Sequence, residues 1–272
     1  MKFALLISLI TMSSFAVAEQ LESRINSIDV AAKKGVPHLI KLENGRVVFV
    51  EHNDRTSLDS FRESMKEHSL LSVEVDEKNN FVSAETIEDG GNQSSKEINH
   101  GARMSFEPTT VSSSEATNIF RRMRRDYQNN SQCYNRAHIW AYEEWKKTKL
   151  NSLKVFLFFT NRYIRNYRYK WWFHVSPMVN TPGGELVLDR RYTSGPRTKD
   201  NWTKNFIYSG RKCPIVNNYY DYRNNQESED CYMIPVSMYF WQPRDILKRD
   251  NGGSVKTQFY QSEINHAYWE AF

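Results

Sequence analysis

At 272 residues, with 39% hydrophobic and 14% aromatic side chains, the chain has apolar material for one large domain or two modest ones, which excludes general disorder. Its net charge of +5 is unevenly shared: residues 19–104 carry −5 and residues 105–272 carry +9, with Lys2 as the remaining unit. Beyond the N-terminal segment no stretch is long and apolar enough to cross a bilayer as a helix.

Lys2, the apolar run 3–12 and Ala16-Val17-Ala18 read as a secretory signal peptide over residues 1–18, because the run is too short for an anchor. Export to the periplasm or the medium is therefore expected. No cysteine stands at the cleavage point, so no lipid anchor is expected. Residues 47–50 read as a strand. Residues 57–68 have helical spacing, with Leu58, Phe61 and Met65 on one face and Ser57 as N-cap, and residues 70–75 read as a second strand. Residues 19–105 thus form a small α+β unit. Its acidity suits it to lie on a basic neighbour as a pro-region, although two independent domains of unlike charge would read the same way. The Asp/Gly/Asn/Ser/Lys stretch at about 88–105 is the expected linker and the natural cut site for maturation.

The remainder, 106–272, is expected to be the catalytic domain. A helix over 113–127 carries Ile119, Phe120 and Met123 inward, and the charges of Arg121-Arg122-Met123-Arg124-Arg125 form its solvated face. The polar turn Asn129-Asn130-Ser131-Gln132 precedes a helix over 133–149 with Tyr134, Ala137, Ala141 and Trp145 on one stripe. Strands are predicted at 155–160, 171–179, 185–189 and 232–241, the last interrupted by Pro235. The predicted fold class is α+β, a Cys-bearing helix packed on an antiparallel sheet. The basic, aromatic stretch 162–170 reads as a hairpin whose polar face meets solvent, an acidic substrate or the pro-region. In an exported protein nucleic acid is not an expected partner for it.

Three cysteines make an odd count in an oxidising compartment. Cys213 and Cys231 lie close in a turn-rich stretch and are expected to pair, leaving Cys133 free. A lone cysteine is commonly a small buried hydrophobe. Cys133, however, opens a helix between polar Gln132 and Asn135, where unpaired amides and the helix dipole favour a thiolate and can hold an oxyanion. His174 shares a strand face with Trp172 and Ser176. If the next strand pairs through Thr181-Pro182-Gly183-Gly184, Asp189 reaches the far nitrogen of His174. Asn180 is a rival for that third position, but it stands only six residues past His174. His138 lies about one and a half turns past Cys133 and reads as structural, or as a support to the site's residues, rather than as the base. The other histidines have no ligand-like spacing, so no metal site is expected. The order of Cys on a helix, His on a strand and Asp on the next resembles papain-like and transglutaminase-like enzymes.

Three motifs narrow this further. Cys133-Tyr134-Asn135-Arg136-Ala137-His138 resembles the C-Y-x-R-A-H helix start of bacterial protein-glutaminases. Phe173-His174-Val175 resembles that family's histidine strand, and Leu188-Asp189, Ser194-Gly195-Pro196 and Trp202 resemble its aspartate segment. The resemblance covers roughly residues 113–240. It implies hydrolysis of glutamine side-chain amides in proteins or peptides, with Cys133 as nucleophile, His174 as base and then acid, and Asp189 as orienting group. It also implies that no metal or organic cofactor is required and that a pro-region acts as an intramolecular inhibitor, and a monomer is expected. The chain departs from the family pattern in having Arg190-Arg191 where Pro-Ser would follow the aspartate, and in having only three cysteines. A transglutaminase or cysteine protease with the same triad, and a non-catalytic exported interaction protein, are the alternatives.

Overall fold

The computed structural model describes residues 18–88 and 106–272. Apart from residues 18 and 88, the expected signal peptide and linker lie outside the described residues.

The N-terminal part runs β1 (Glu19–Ser23), β2 (Ile25–Asp29), β3 (His38–Leu42), β4 (Val47–Val50), α1 (Arg55–Glu67), β5 (Leu70–Val75) and β6 (Phe81–Ile87). Two antiparallel sheets result, ordered β1-β5-β6 and β2-β3-β4. Leu58 and Phe61 of α1 close a core with Ile40, Val48 and Val73. The N-cap is Asp54 rather than the expected Ser57: the Asp54 carboxylate accepts from the Ser57 amide at 3.1 Å. A charged cap gains from the helix dipole as well as the hydrogen bond, so the earlier residue wins.

The C-terminal part runs α2 (Ser113–Arg122), α3 (Cys133–Thr148), β7 (Leu153–Phe159), α4 (Asn161–Tyr167), β8 (Phe173–Thr181), β9 (Gly184–Val187), α5 (Lys199–Thr203), α6 (Tyr219–Asn224), β10 (Cys231–Ser237), α7 (Pro243–Asp250) and α8 (Gln261–Ala271). The strands form one antiparallel sheet, ordered β10-β7-β8-β9, and α3 lies against β8 and α8. This is the expected α+β arrangement of a Cys-bearing helix on an antiparallel sheet. β7 is apolar almost throughout because it is a central strand, and Val155 to Phe159 are all fully buried.

Three local expectations are corrected. α2 stops at Arg122, where Met123 turns extended (ψ 133°). The cause is visible in the arginines: Arg122 pairs with Glu144 and Arg124 with Glu143, both on α3, so of the four only Arg121 and Arg125 form the expected solvated face. The stretch 162–170 is not a hairpin. Thr160 caps α4, Tyr163 and Ile164 are buried, and Tyr163 meets Tyr167 one turn on at 4.7 Å. Its Tyr/Arg alternation imitates a strand, but the buried pair and the threonine cap specify a helix. Finally, β10 ends at Ser237 rather than running to 241.

The two parts share a core. Leu39, Val47 and Phe49 pack in one cluster with Phe156, Trp172 and Phe173. The β3–β4 hairpin tip docks on the start of β8: the Val47 amide donates to the Lys170 carbonyl and the Trp172 amide to the Gly45 carbonyl, both at 2.9 Å. The Trp172 indole N–H donates to the Leu42 carbonyl at 2.7 Å. Gly45 is required there, with φ +93° and room for a Cβ only 3.1 Å from the Phe173 ring. The opposed charges meet as well, in the pairs Arg165–Asp29 (2.5 Å) and Arg244–Glu43 (3.7 Å). Cys213 and Cys231 form the expected disulfide (Cα–Cα 4.9 Å) and Cys133 is free.

Candidate active site

Cys133 is the first residue of α3, 6% exposed. Its N-cap, Gln132, makes no side-chain cap hydrogen bond, whereas Asp54, Ser112 and Thr160 cap their helices. The first backbone bond within the helix runs from the Arg136 amide to the Gln132 carbonyl. The Cys133, Tyr134 and Asn135 amides therefore have no partner in the preceding turn, as at any helix start. Arg136 anchors the turn before Cys133 by donating to the Ser131 carbonyl and, at 3.1 Å, to the Ser131 hydroxyl.

β8 supplies His174, opposite Leu157 of β7. β9 runs back antiparallel, and Asp189 follows two residues after its end. His174 Nε2 and Asp189 Oδ2 are 2.7 Å apart, and both groups are buried. Trp202 Nε1–H donates to the same oxygen at 2.9 Å. With Nε2 held by the carboxylate, Nδ1 is left to face Cys133. Burial disfavours the imidazolium, but the Asp189 charge and hydrogen bond, followed by the Cys133 sulfur, outweigh it and raise the His174 pKa to about 9. Burial would raise the Asp189 carboxyl; the imidazolium, its hydrogen bond and that of Trp202 hold it below the ordinary value instead. Phe206 covers the His174 ring at 4.5 Å and Tyr192 stands edge-on at 5.1 Å, which fixes the ring plane.

All three residues singled out in the sequence thus converge. Asn180 does not join them: it pairs with Glu185 on β9, and its carbonyl accepts from the Val111 amide. His138 is fully buried on Lys154 (2.7 Å) with its ring near Phe259, consistent with a structural part. Trp202, read in the sequence only as a motif tryptophan, is a hydrogen-bond donor to the aspartate. Among the described residues no group of three or more His, Cys, Asp or Glu could hold a metal ion.

A cleft of about 1080 Å³ opens over Cys133 and His174. Tyr134, Arg136, Lys170, Arg191, Tyr192 and Phe206 line it from the C-terminal part. From the N-terminal part, β1 (Glu19 to Glu22), Asn44 and Arg46 form the facing wall.

Fold and geometry together define a mixed α/β protein with a buried cysteine–histidine–aspartate constellation between a helix start and an antiparallel sheet. Residues 108–206, which hold Cys133, His174, Asp189 and Trp202, match a family model described as glutaminase, over the stretch that carries the three motifs. A crystal structure of a mutant pro-protein-glutaminase is similar over 92% of this chain and 91% of its own, with TM-score 0.54 and 10% identity. Another crystal structure of pro-protein-glutaminase has TM-score 0.48 at 10% identity, covering 83% of this chain and 84% of that one. The protein-glutaminase of Chryseobacterium proteolyticum has TM-score 0.37 at 12% identity, covering 58% and 84%. No curated protein matches the chain in sequence.

Proposed function

We propose that the protein hydrolyses the side-chain amide of protein-bound glutamine, giving glutamate and ammonia through a Cys133 thioester. The observation that carries the reading is the His174–Asp189 contact of 2.7 Å beneath Cys133 at an uncapped helix start, inside the stretch matched by the glutaminase family. Asp189 orients His174 and favours its protonated form, so the imidazole takes the Cys133 proton as the sulfur becomes the nucleophile. The thiolate attacks the carboxamide carbon, and the carbonyl electrons move onto oxygen. The helix-start amides left free by Gln132 stabilise that oxyanion. His174 Nδ1 then gives its proton to the departing nitrogen, and the C–N bond breaks to release ammonia. His174 next takes a proton from water, whose oxygen attacks the thioester. Collapse frees the glutamate side chain and restores Cys133.

Residues 19–88 are proposed as part of a pro-region, as the name pro-protein-glutaminase describes for the similar solved structure. The support is local: β1 and the β3–β4 tip wall the cleft, and the hairpin shares a core with β8. The predicted signal peptide, with the disulfide, supports export.

The test uses the full chain, digested until residues 19–88 are degraded, beside its Cys133→Ala variant. Ammonia and a Gln→Glu mass change in a substrate protein are expected from the first and not the second. Peptide-bond cleavage without ammonia would make it a protease, and incorporation of an added amine a transglutaminase. Silence in all three assays would favour a non-catalytic binding role. Added residues 19–104 should inhibit; rates unchanged at excess segment would end the pro-region proposal.

A further inference from the structure

The positive charge of the C-terminal part is concentrated along its side of the cleft. On the C-terminal side four cations line it: Arg136, Arg168, Lys170 and Arg191. The one carboxylate lining it from that side, Glu270, is already engaged by His266 at 2.9 Å and by Asn135. Arg136 is 5% exposed and its guanidinium donates to Ser131; among the described residues it has no carboxylate partner within ion-pair distance. Lys170 and Arg191 form no ion pair either among the described residues. Arg168 is occupied, but by the N-terminal part: it donates to Asn80 at 2.7 Å and lies over the Phe49 ring.

The chain lays an acidic strand along this wall. Glu19, Gln20, Leu21 and Glu22 of β1 line the same cleft, a glutamine bracketed by two glutamates. Glu19 is held by both terminal nitrogens of Arg46, and that bond, opposed by partial burial and aided by the charges of Arg46 and Lys170, holds its carboxyl below the ordinary value. A polypeptide with carboxylates close to its glutamine therefore meets a wall that already accommodates such a segment.

We propose that the cleft selects glutamines flanked by Asp or Glu, with Lys170, Arg191 and Arg168 as the specificity-determining cations at its rim and Arg136 as the buried charge beneath them. The proposal rests on the deamidase reading of the site and adds the substrate class. Unpaired cations in a partly water-excluded cleft attract an acidic segment and raise its encounter rate, and distant basic segments are repelled.

The experiment uses the full chain digested until residues 19–88 are degraded, and three peptides of equal length with one glutamine each, flanked by Glu, by Ser or by Lys. At low salt kcat/KM for ammonia release should fall in that order, by about tenfold or more between the extremes. The spread should shrink at salt near 1 M, where charges are screened within a few ångströms. Lys170→Glu combined with Arg191→Glu should invert the order; Arg191→Ala, at an exposed position, should narrow it without risk to folding. Equal rates from the three peptides, or the reverse order in the unaltered protein, would overturn this proposal alone. Ammonia from none of them would overturn the deamidase reading and this one with it.

Discussion

Asp189 holds His174 with one oxygen while Trp202 holds that same oxygen, so the imidazole is fixed in charge and in direction by a single carboxylate. Asp189→Asn removes the charge that outweighs burial. The alkaline limb of kcat/KM, set by loss of the His174 proton near pH 9, should move to lower pH, with a rate loss on the order of 10²-fold or more. Trp202→Phe keeps the ring and loses the donor, and should cost about tenfold. The same pair makes stability depend on pH, and the signs differ for its members. His174 is raised, so its contribution is whole below 6.5 and disappears as pH rises through about 9. Asp189 is lowered, so its contribution is present above 3.8 and disappears as pH falls through its folded value. Thermal unfolding from pH 3 to 10 should show a plateau between those limits that Asp189→Asn flattens; an unchanged profile in the variant would contradict the pairing. At this scale much was legible. Cys133 stood out by cysteine count and helix position, His174 by strand alternation, and Asp189 by the turn that pairs β8 with β9. The hydrogen bond from Trp202 was not legible, because only the return of the chain through α5 decides which acceptor its indole finds.

Elements explain how those residues are held. The β3–β4 tip fits β8 only because residue 45 has no side chain and tolerates a positive φ. Gly45→Ala should destabilise the intact protein by about 1–2 kcal/mol in denaturant unfolding, from the backbone conformation and the clash with Phe173. The Cys213–Cys231 bond closes a separation of 18 residues and ties the approach to β10. Replacing both cysteines with serine should cost about 3 kcal/mol on the chain-entropy account, seen as a lower denaturation midpoint. Helices and strands with strong periodicity were readable: α1, α3, β5 and β8 fall where spacing placed them. Errors came where tertiary partners override local pattern. α2 ends early because Arg122 and Arg124 find Glu144 and Glu143 on α3, and α4 replaces a hairpin because Tyr163 and Ile164 bury against the core.

For the whole molecule, the opposite charges of the two parts were visible in composition and appear as Arg165–Asp29 and Arg244–Glu43. Both pairs keep contact with water, and pairs of this kind contribute little, about 0–1 kcal/mol each. Apolar contacts of Leu39, Val47 and Phe49 in the shared core were not legible in the charge pattern, and they should dominate the association. Cutting within 89–105 alone should therefore leave residues 19–88 bound at high salt, as judged by size exclusion, and leave the cleft walled. Activity should appear only once that part is destroyed. Separation by salt alone would mean that the ion pairs hold the parts together.

The central claim is that Cys133, with His174 and Asp189, removes ammonia from protein-bound glutamine. Its most direct measurement is mass spectrometry of a glutamine-containing protein after incubation with the digested full chain and with its Cys133→Ala variant, alongside ammonia release. The account predicts Gln→Glu conversion matched by ammonia for the first and neither for the second. Conversion that persists in Cys133→Ala, or its absence from both after the N-terminal part is gone, would contradict it.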